Sequence, residues 1–152
     1  MLSACQNDTP QQTRDDQPLE EALIGVWEAV SFEVLVNSVQ NSDSSYVFEI
    51  TEQDWQNRLK VLPVQRYFYK DKKFIEEFRG LDGVPYDTLR GMWNTFGDTL
   101  MMVEPNATYN YEVDIEKGMS TYYGLLDWDG DGNADDEYTG VYRLVGSSPY
   151  VQ

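Results

Sequence analysis

The sequence predicts an all-β protein: about eight antiparallel strands in meander order, closed into a barrel, with one short helix between strands one and two. Three observations lead there. Eleven Tyr, six Phe and four Trp make aromatics 14% of the 152 residues, and such side chains favour strands. Beyond Val64 short runs of alternating apolar and polar residues are separated by turn residues. No internal repeat marks a solenoid or propeller. Short sequential strands suit an up-and-down barrel, which leaves no open sheet edge.

Each element has its own signal. Leu19 to Ala22 reads as a turn of helix over one end of the fold. Ile24-Gly25-Val26-Trp27 opens a long β-rich segment running to Val39. Asn41 to Ser45 is a loop, and Tyr46 to Ile50 a short extended piece. Thr51 is an N-cap with Asp54 as its acidic partner three residues on. Ile50 and Trp55 are placed as a hydrophobic staple, and Pro63 ends the element, which predicts a helix of about ten residues. Consecutive hairpins follow. Val64 to Lys70 and Lys73 to Arg79 flank Asp71-Lys72. Leu89 to Thr95 and Asp98 to Glu104 pair around Phe96-Gly97. Tyr109, Tyr111, Val113 and Ile115 alternate with Asn110, Glu112, Asp114 and Glu116, one face apolar and the other wet. Lys117-Gly118 turns the chain into Met119 to Leu126, and Tyr138 to Val145 returns.

Composition excludes several functions. The net charge of -16 opposes nucleic acid, whose phosphates need a basic patch. It equally opposes electrostatic docking on anionic lipid, so cations are the natural small partners. With no histidine, Ser-His-Asp and Cys-His catalysis and imidazole-based zinc sites are out. A single cysteine forms no internal disulfide. No apolar run is long enough to cross a bilayer.

Leu2-Ser3-Ala4-Cys5 resembles the lipobox of bacterial lipoproteins. That likeness implies that Cys5 is the lipidated anchor and the chain's contact with a membrane. Residues 6–18 carry two prolines and no apolar residue, the composition of a flexible tether. The division is therefore a lipobox remnant and tether over 1–18 and a barrel domain over 19–152. The basic start and apolar stretch of a signal peptide do not precede the motif, so on this expectation a leader was trimmed or lies upstream of Met1. Gln6 follows Cys5, where Asp would suggest inner-membrane retention. The expected location is the outer membrane or cell surface.

Gly25-Val26-Trp27 resembles the Gly-x-Trp signature of lipocalins. Tyr67-Phe68-Tyr69-Lys70-Asp71-Lys72-Lys73-Phe74, and Gly91-Met92-Trp93 with Gly97-Asp98-Thr99-Leu100, are similar to lipocalin-like lipoproteins of Bacteroidetes. The likeness spans residues 22 to 145. It implies a small calyx, often with a hydrophobic interior, and Trp27 packed across one end. Standard lipocalins carry their main helix after the last strand, whereas here a helix over 51–60 follows strand one.

Six carboxylates fall between Asp127 and Glu137. Asp127, Asp129, Asp131 and Asp135 offer side-chain oxygens and Asn133 a carbonyl, and the spacing resembles an EF-hand loop at positions one, three, five, six and nine. Tyr138 stands where that loop has its bidentate Glu, and Glu137 lies one residue early. The expectation is a shortened Asp-x-Asp-x-Asp-Gly loop whose Ca²⁺ ties down the last hairpin, with Asp127, Asp129, Asp131, Asn133, Asp135 and Glu137 as candidate ligands. The alternative is an acidic turn with no ion.

Tyr67, Tyr69, Trp93, Tyr109, Tyr111, Tyr122, Tyr123 and Tyr142 form either a packed core or a ligand cavity. Glu76 and Glu77, or Asp82 and Asp87, suggest a glycosidase carboxylate pair, but in a chain with 27 acidic residues such neighbours arise readily. Lys70, Lys72 and Lys73 read as a solvated hairpin tip. The sequence thus predicts a non-enzymatic, lipid-anchored, lipocalin-like binder of a small apolar or amphipathic ligand, with a structural calcium loop. A surface lipoprotein with a packed barrel and protein partners is the alternative.

Overall fold

A computed structural model describes residues 14–37 and 39–150. Cys5 and its lipobox lie outside the described residues. Among the described residues, a four-residue helix, α1 (Leu19–Ala22), precedes the sheet. The strands are β1 (Gly25–Val36), β2 (Tyr46–Ile50), β3 (Gln65–Phe68), β4 (Lys73–Arg79) and β5 (Pro85–Phe96), then β6 (Thr99–Glu104), β7 (Ala107–Glu116), β8 (Met119–Leu126) and β9 (Asp136–Gly146). All neighbours are antiparallel, in the order β2-β1-β3-β4-β5-β6-β7-β8-β9, and β1 also pairs with β9. That last pairing closes eight strands into a barrel and leaves β2 outside it. No helix among the described residues is long and apolar enough to cross a membrane.

β1 explains the ninth strand. Its first residues pair with β3, Gly25 opposite Phe68 and Glu28 opposite Gln65. Its last pair with β2, Phe32 opposite Ile50 and Val36 opposite Tyr46. Between them the β1–β9 register slips from Ala29 to Ser31, a bulge that bends the strand. Burial of β1 changes parity there, from Gly25, Trp27 and Ala29 to Val34 and Val36. The extended piece Tyr46 to Ile50 is thus a full strand on an edge that β3 has vacated.

The helix after it is shorter than its sequence predicts. α2 spans only Asp54–Asn57. The Asp54 carboxylate does accept the Thr51 N–H at 2.8 Å and the Thr51 hydroxyl at 3.0 Å, but Thr51 is not the cap: Gln53 occupies the N-cap position and makes no side-chain cap bond. The far end closes early. Leu59 N–H reaches the Asp54 carbonyl and Val61 N–H the Trp55 carbonyl, both at 3.0 Å, and Lys60 adopts φ 58°. These reverse bonds end the helix before Pro63, and Val61 bridges to Gly80 instead.

Strand ends alternate between two rims. The α1 side carries the turns after β3, β5 and β7, and here the core is dry. Leu23, Trp27, Phe68, Phe74 and Leu100 are fully buried, with Trp93 beside them. Trp27 Nε1 donates to the Leu23 carbonyl at 2.8 Å, so the indole closes this end by both packing and a satisfied N–H. Lys72 belongs to this end as well. Its ammonium pairs with Glu20 at 3.2 Å and lies 4.4 Å from the Trp93 ring centroid. Only Lys70 and Lys73 of the expected solvated tip are exposed. Arg14–Asp16, inside the stretch read as tether, forms a 3₁₀ turn, and Asp15 accepts the Lys117 N–H at 3.1 Å.

Candidate functional site

Above the dry end the interior becomes polar. Arg66 and Glu76 face each other across β3 and β4 and are both buried. Arg66 Nε and Nη2 donate to one oxygen, Glu76 Oε1, at 3.1 and 2.8 Å. The guanidinium carbon lies 4.4 Å from the Tyr142 ring centroid and 5.3 Å from that of Tyr122. Burial opposes the Arg66 charge, but Glu76 and the surrounding tyrosines hold its pKa well above the ordinary value. Burial pushes the Tyr111, Tyr122, Tyr138 and Tyr142 hydroxyls up, with Arg66 opposing. All four are therefore neutral hydrogen-bonding groups near neutral pH. Arg66 and Ser120 approach the fully buried Tyr122 hydroxyl but complete no hydrogen bond to it.

The rim opposite α1 opens on a cavity of about 180 Å³. It is lined by Ala29, Ser31, Phe32, Trp55, Val64, Glu76, Trp128, Tyr138 and Tyr142. Local sequence sets its walls. The β1 bulge leaves the Val30 carbonyl free of the ladder, and Trp55 Nε1 donates to it at 3.0 Å, which fixes the indole over the opening. Phe32 lies 6.1 Å from Trp55, 6.1 Å from Trp128 and 6.2 Å from Tyr138. Phe48 of β2 backs Trp128 at 5.4 Å, so the ninth strand builds the mouth. Gly140 makes room for Tyr138, since a Cβ there would sit 2.2 Å from its hydroxyl oxygen. A larger depression of about 580 Å³ crosses the outer wall of β6 to β9 and includes Tyr123 and Leu125, which are exposed. It is a surface groove, and the interior chemistry lies in the smaller cavity.

The acidic loop hangs on the same rim between β8 and β9. Asp127 accepts the N–H groups of Asp131 and Gly132, both at 3.0 Å, and Gly130 and Gly132 take φ 71° and 90°, which glycine adopts at little cost. Fully buried Asp136 is the hub. It accepts the N–H of Asn37 at 2.9 Å, of Trp128 at 2.8 Å and of Asp129 at 3.4 Å. One carboxylate therefore anchors the loop to the end of β1 and seats Trp128 at the mouth. Burial, with the charges of Asp136 and Asp131, pushes the Asp135 carboxyl up.

Of the candidate metal ligands, Asp127 and Asp129 come together, joined by Asp136, with carboxylate oxygens within 4.8 Å of one another. Asp131 instead accepts from Asn41 N–H at 3.3 Å and from Asn133 N–H at 2.9 Å. The Asn133 side chain donates to Asn41 at 2.6 Å. The Asp135 carbonyl and the Glu137 carboxylate both accept from the Asn37 side chain. Three carboxylates so placed are a group that could hold a hard cation.

Sequence reasoning missed Asp136 and Arg66. The signal was parity: Asp136 shares the inner face of β9 with Gly140 and Tyr142, and Arg66 that of β3 with Phe68. A charge on a buried face needs a partner. The aromatics divide in the same way. Trp93, Tyr122 and Tyr142 are buried, Tyr109 and Tyr111 share the inner face of β7, and Tyr123 is exposed. Tyr67 lies on the outer face of β3, donating to Gln65 at 3.2 Å. Glu76 and Glu77 point to opposite faces of β4 and cannot act as a carboxylate pair. No protein-family model matches the chain, and no curated protein matches it.

Proposed function

We propose that this chain is a lipocalin-like binding protein whose barrel mouth holds a small amphipathic ligand, with no catalytic role. The mouth cavity supports this best: aromatic walls above one buried, charge-paired carboxylate combine apolar contact with a few orienting polar groups, the usual make-up of a ligand site. The Asp127-Asp129-Asp136 group is a structural Ca²⁺ site that steadies the rim, and Cys5 anchors the chain by lipid at the outer membrane or cell surface. Support for the anchor is the Leu2-Ser3-Ala4-Cys5 motif.

Native mass spectrometry of the full chain purified from its own envelope tests the ligand. One small molecule per protein, lost in Trp128→Ala, is the expected result. A bare protein mass from several gentle extractions sinks it. The competing possibility is a packed barrel that meets other surface proteins. It is favoured by the small cavity, about 180 Å³, below the usual range for drug-sized ligands. Envelope cross-linking that captures one stoichiometric protein partner, with no small molecule bound, would favour it.

A further inference from the structure

We infer that the mouth cavity selects a small organic ammonium ion, one that carries its positive charge on an alkylated or primary nitrogen. This deepens the binding proposal above and rests on it. The inference comes from what surrounds the cavity. Phe32, Trp55, Trp128, Tyr138 and Tyr142 line a space of about 180 Å³, together with Glu76. Aromatic faces attract a cation through the ring quadrupole, more strongly once water is excluded. The cavity suits a compact head rather than a long acyl chain.

The interior charge balance has the matching sign. Arg66 is the cation of this region, and both its hydrogen bonds fall on Glu76 Oε1. Glu104 shares the inner face of β6 with Leu100 and Met102, where burial and the Glu76 charge push its carboxyl up and Arg66 opposes. Two carboxylates stand against one guanidinium, so this interior carries an excess of acid that a bound ammonium neutralises. Arg66 already covers one face of Tyr142, so Phe32, Trp55, Trp128 and Tyr138 are the rings left for a bound cation. Outside, Trp128 lies between Asp127 and Asp129, and the chain carries -16 overall. That field raises the local concentration of cations at the mouth and repels anions.

The test compares choline with its neutral carbon isostere, in which a quaternary carbon replaces the nitrogen. Titration calorimetry on the full chain is run with Ca²⁺ saturating, so that the acidic loop is not the site measured, and at about 0.15 M salt to screen surface charge. Choline binding at one site, at least about tenfold more tightly than the isostere, is the expected result. Trp128→Ala should weaken it severalfold with the chain still folded, because Trp128 sits on a loop and is 40% exposed. Equal binding of both probes overturns the ammonium assignment and leaves the wider ligand proposal standing. Binding of neither probe also overturns it, and the native mass measurement then decides the wider proposal independently. Choline binding that survives Trp128→Ala unchanged places the ion elsewhere and overturns the site.

Discussion

The two ends of this barrel are built from opposite materials. At the α1 end, Trp27, Phe68, Phe74, Trp93 and Leu100 interlock, and the single indole N–H of Trp27 is spent on Leu23. At the mouth end, Arg66, Glu76 and four tyrosines fill the interior, the aromatics leave a cavity, and a buried carboxylate holds the rim. Stability resides in the first arrangement, because dry apolar packing gains from every methylene removed from water. On the proposed function, specificity resides in the second. A buried ion pair adds little net stability, since desolvation offsets its attraction, yet it keeps polar groups at fixed positions where a ligand can meet them.

Mutations should expose that division. Trp27→Ala is expected to have the largest effect, about 4 kcal/mol by urea unfolding, from lost burial and a cavity that the closed end cannot collapse. A loss below about 1 kcal/mol would show that this end is not the anchor of the fold. Glu76→Gln should cost about 3 kcal/mol by leaving Arg66 buried and unpaired. The double change Arg66→Met with Glu76→Leu should recover most of that loss and still abolish ligand binding. If the double variant is as unstable as the single one, the pair is a structural requirement and not a device of specificity.

Much of this fold could be read from the chain because strand periodicity is local. Tyr109, Tyr111, Val113 and Ile115 face inward as their alternation predicts, and the Lys117-Gly118 turn lies where a hairpin needs positive φ, 53° and 76°. What could not be read is set by distant partners. The helix at Asp54 ends early, and Val61 beyond it bridges to distant Gly80. Tyr46 to Ile50 becomes a strand because a bulge in β1 frees an edge. Asp136 looked like one more acid in a run, and only its place on the inner face of β9, near Asn37 and Trp128, makes it the hub of the rim. Arg66 likewise stood in an unremarkable strand until its register opposite Glu76 was known.

One chemical change made at both ends sharpens the contrast. Gly91 lies opposite Phe74 at the dry end, and a Cβ there would sit 2.5 Å from the Phe74 ring and 2.3 Å from the Val103 carbonyl. Neither neighbour can retreat, so Gly91→Ala should cost about 2 kcal/mol through overpacking. At Gly140 the three atoms nearest to an added Cβ all belong to the Tyr138 side chain, which borders the mouth cavity. The cost of Gly140→Ala should stay below about 1 kcal/mol, while ligand affinity falls because the displaced ring occupies the site. Equal destabilisation in paired urea melts would mean that the mouth is packed as rigidly as the closed end.

A further modest effect concerns the rim itself. A cation held by Asp127, Asp129 and Asp136 binds the folded chain alone, since only the fold brings these residues together across the loop. At a free Ca²⁺ concentration about tenfold above its dissociation constant, the linkage stabilises by about 1.4 kcal/mol, a rise of a few degrees in thermal midpoint for a domain of this size. Mg²⁺ should do less, because it demands a tighter octahedron and releases its water reluctantly. Asp129→Ala should remove the Ca²⁺ response. It should leave Trp27 and its neighbours unaffected, because they lie at the other end of the barrel. Asp131→Ala discriminates further. In this geometry Asp131 bonds to Asn41 and Asn133 rather than joining the three clustered carboxylates, so its loss should weaken the Ca²⁺ response without abolishing it. A midpoint that ignores Ca²⁺ in the unmutated protein would make the loop an acidic clasp, held by Asp136 and Asn37 through hydrogen bonds alone.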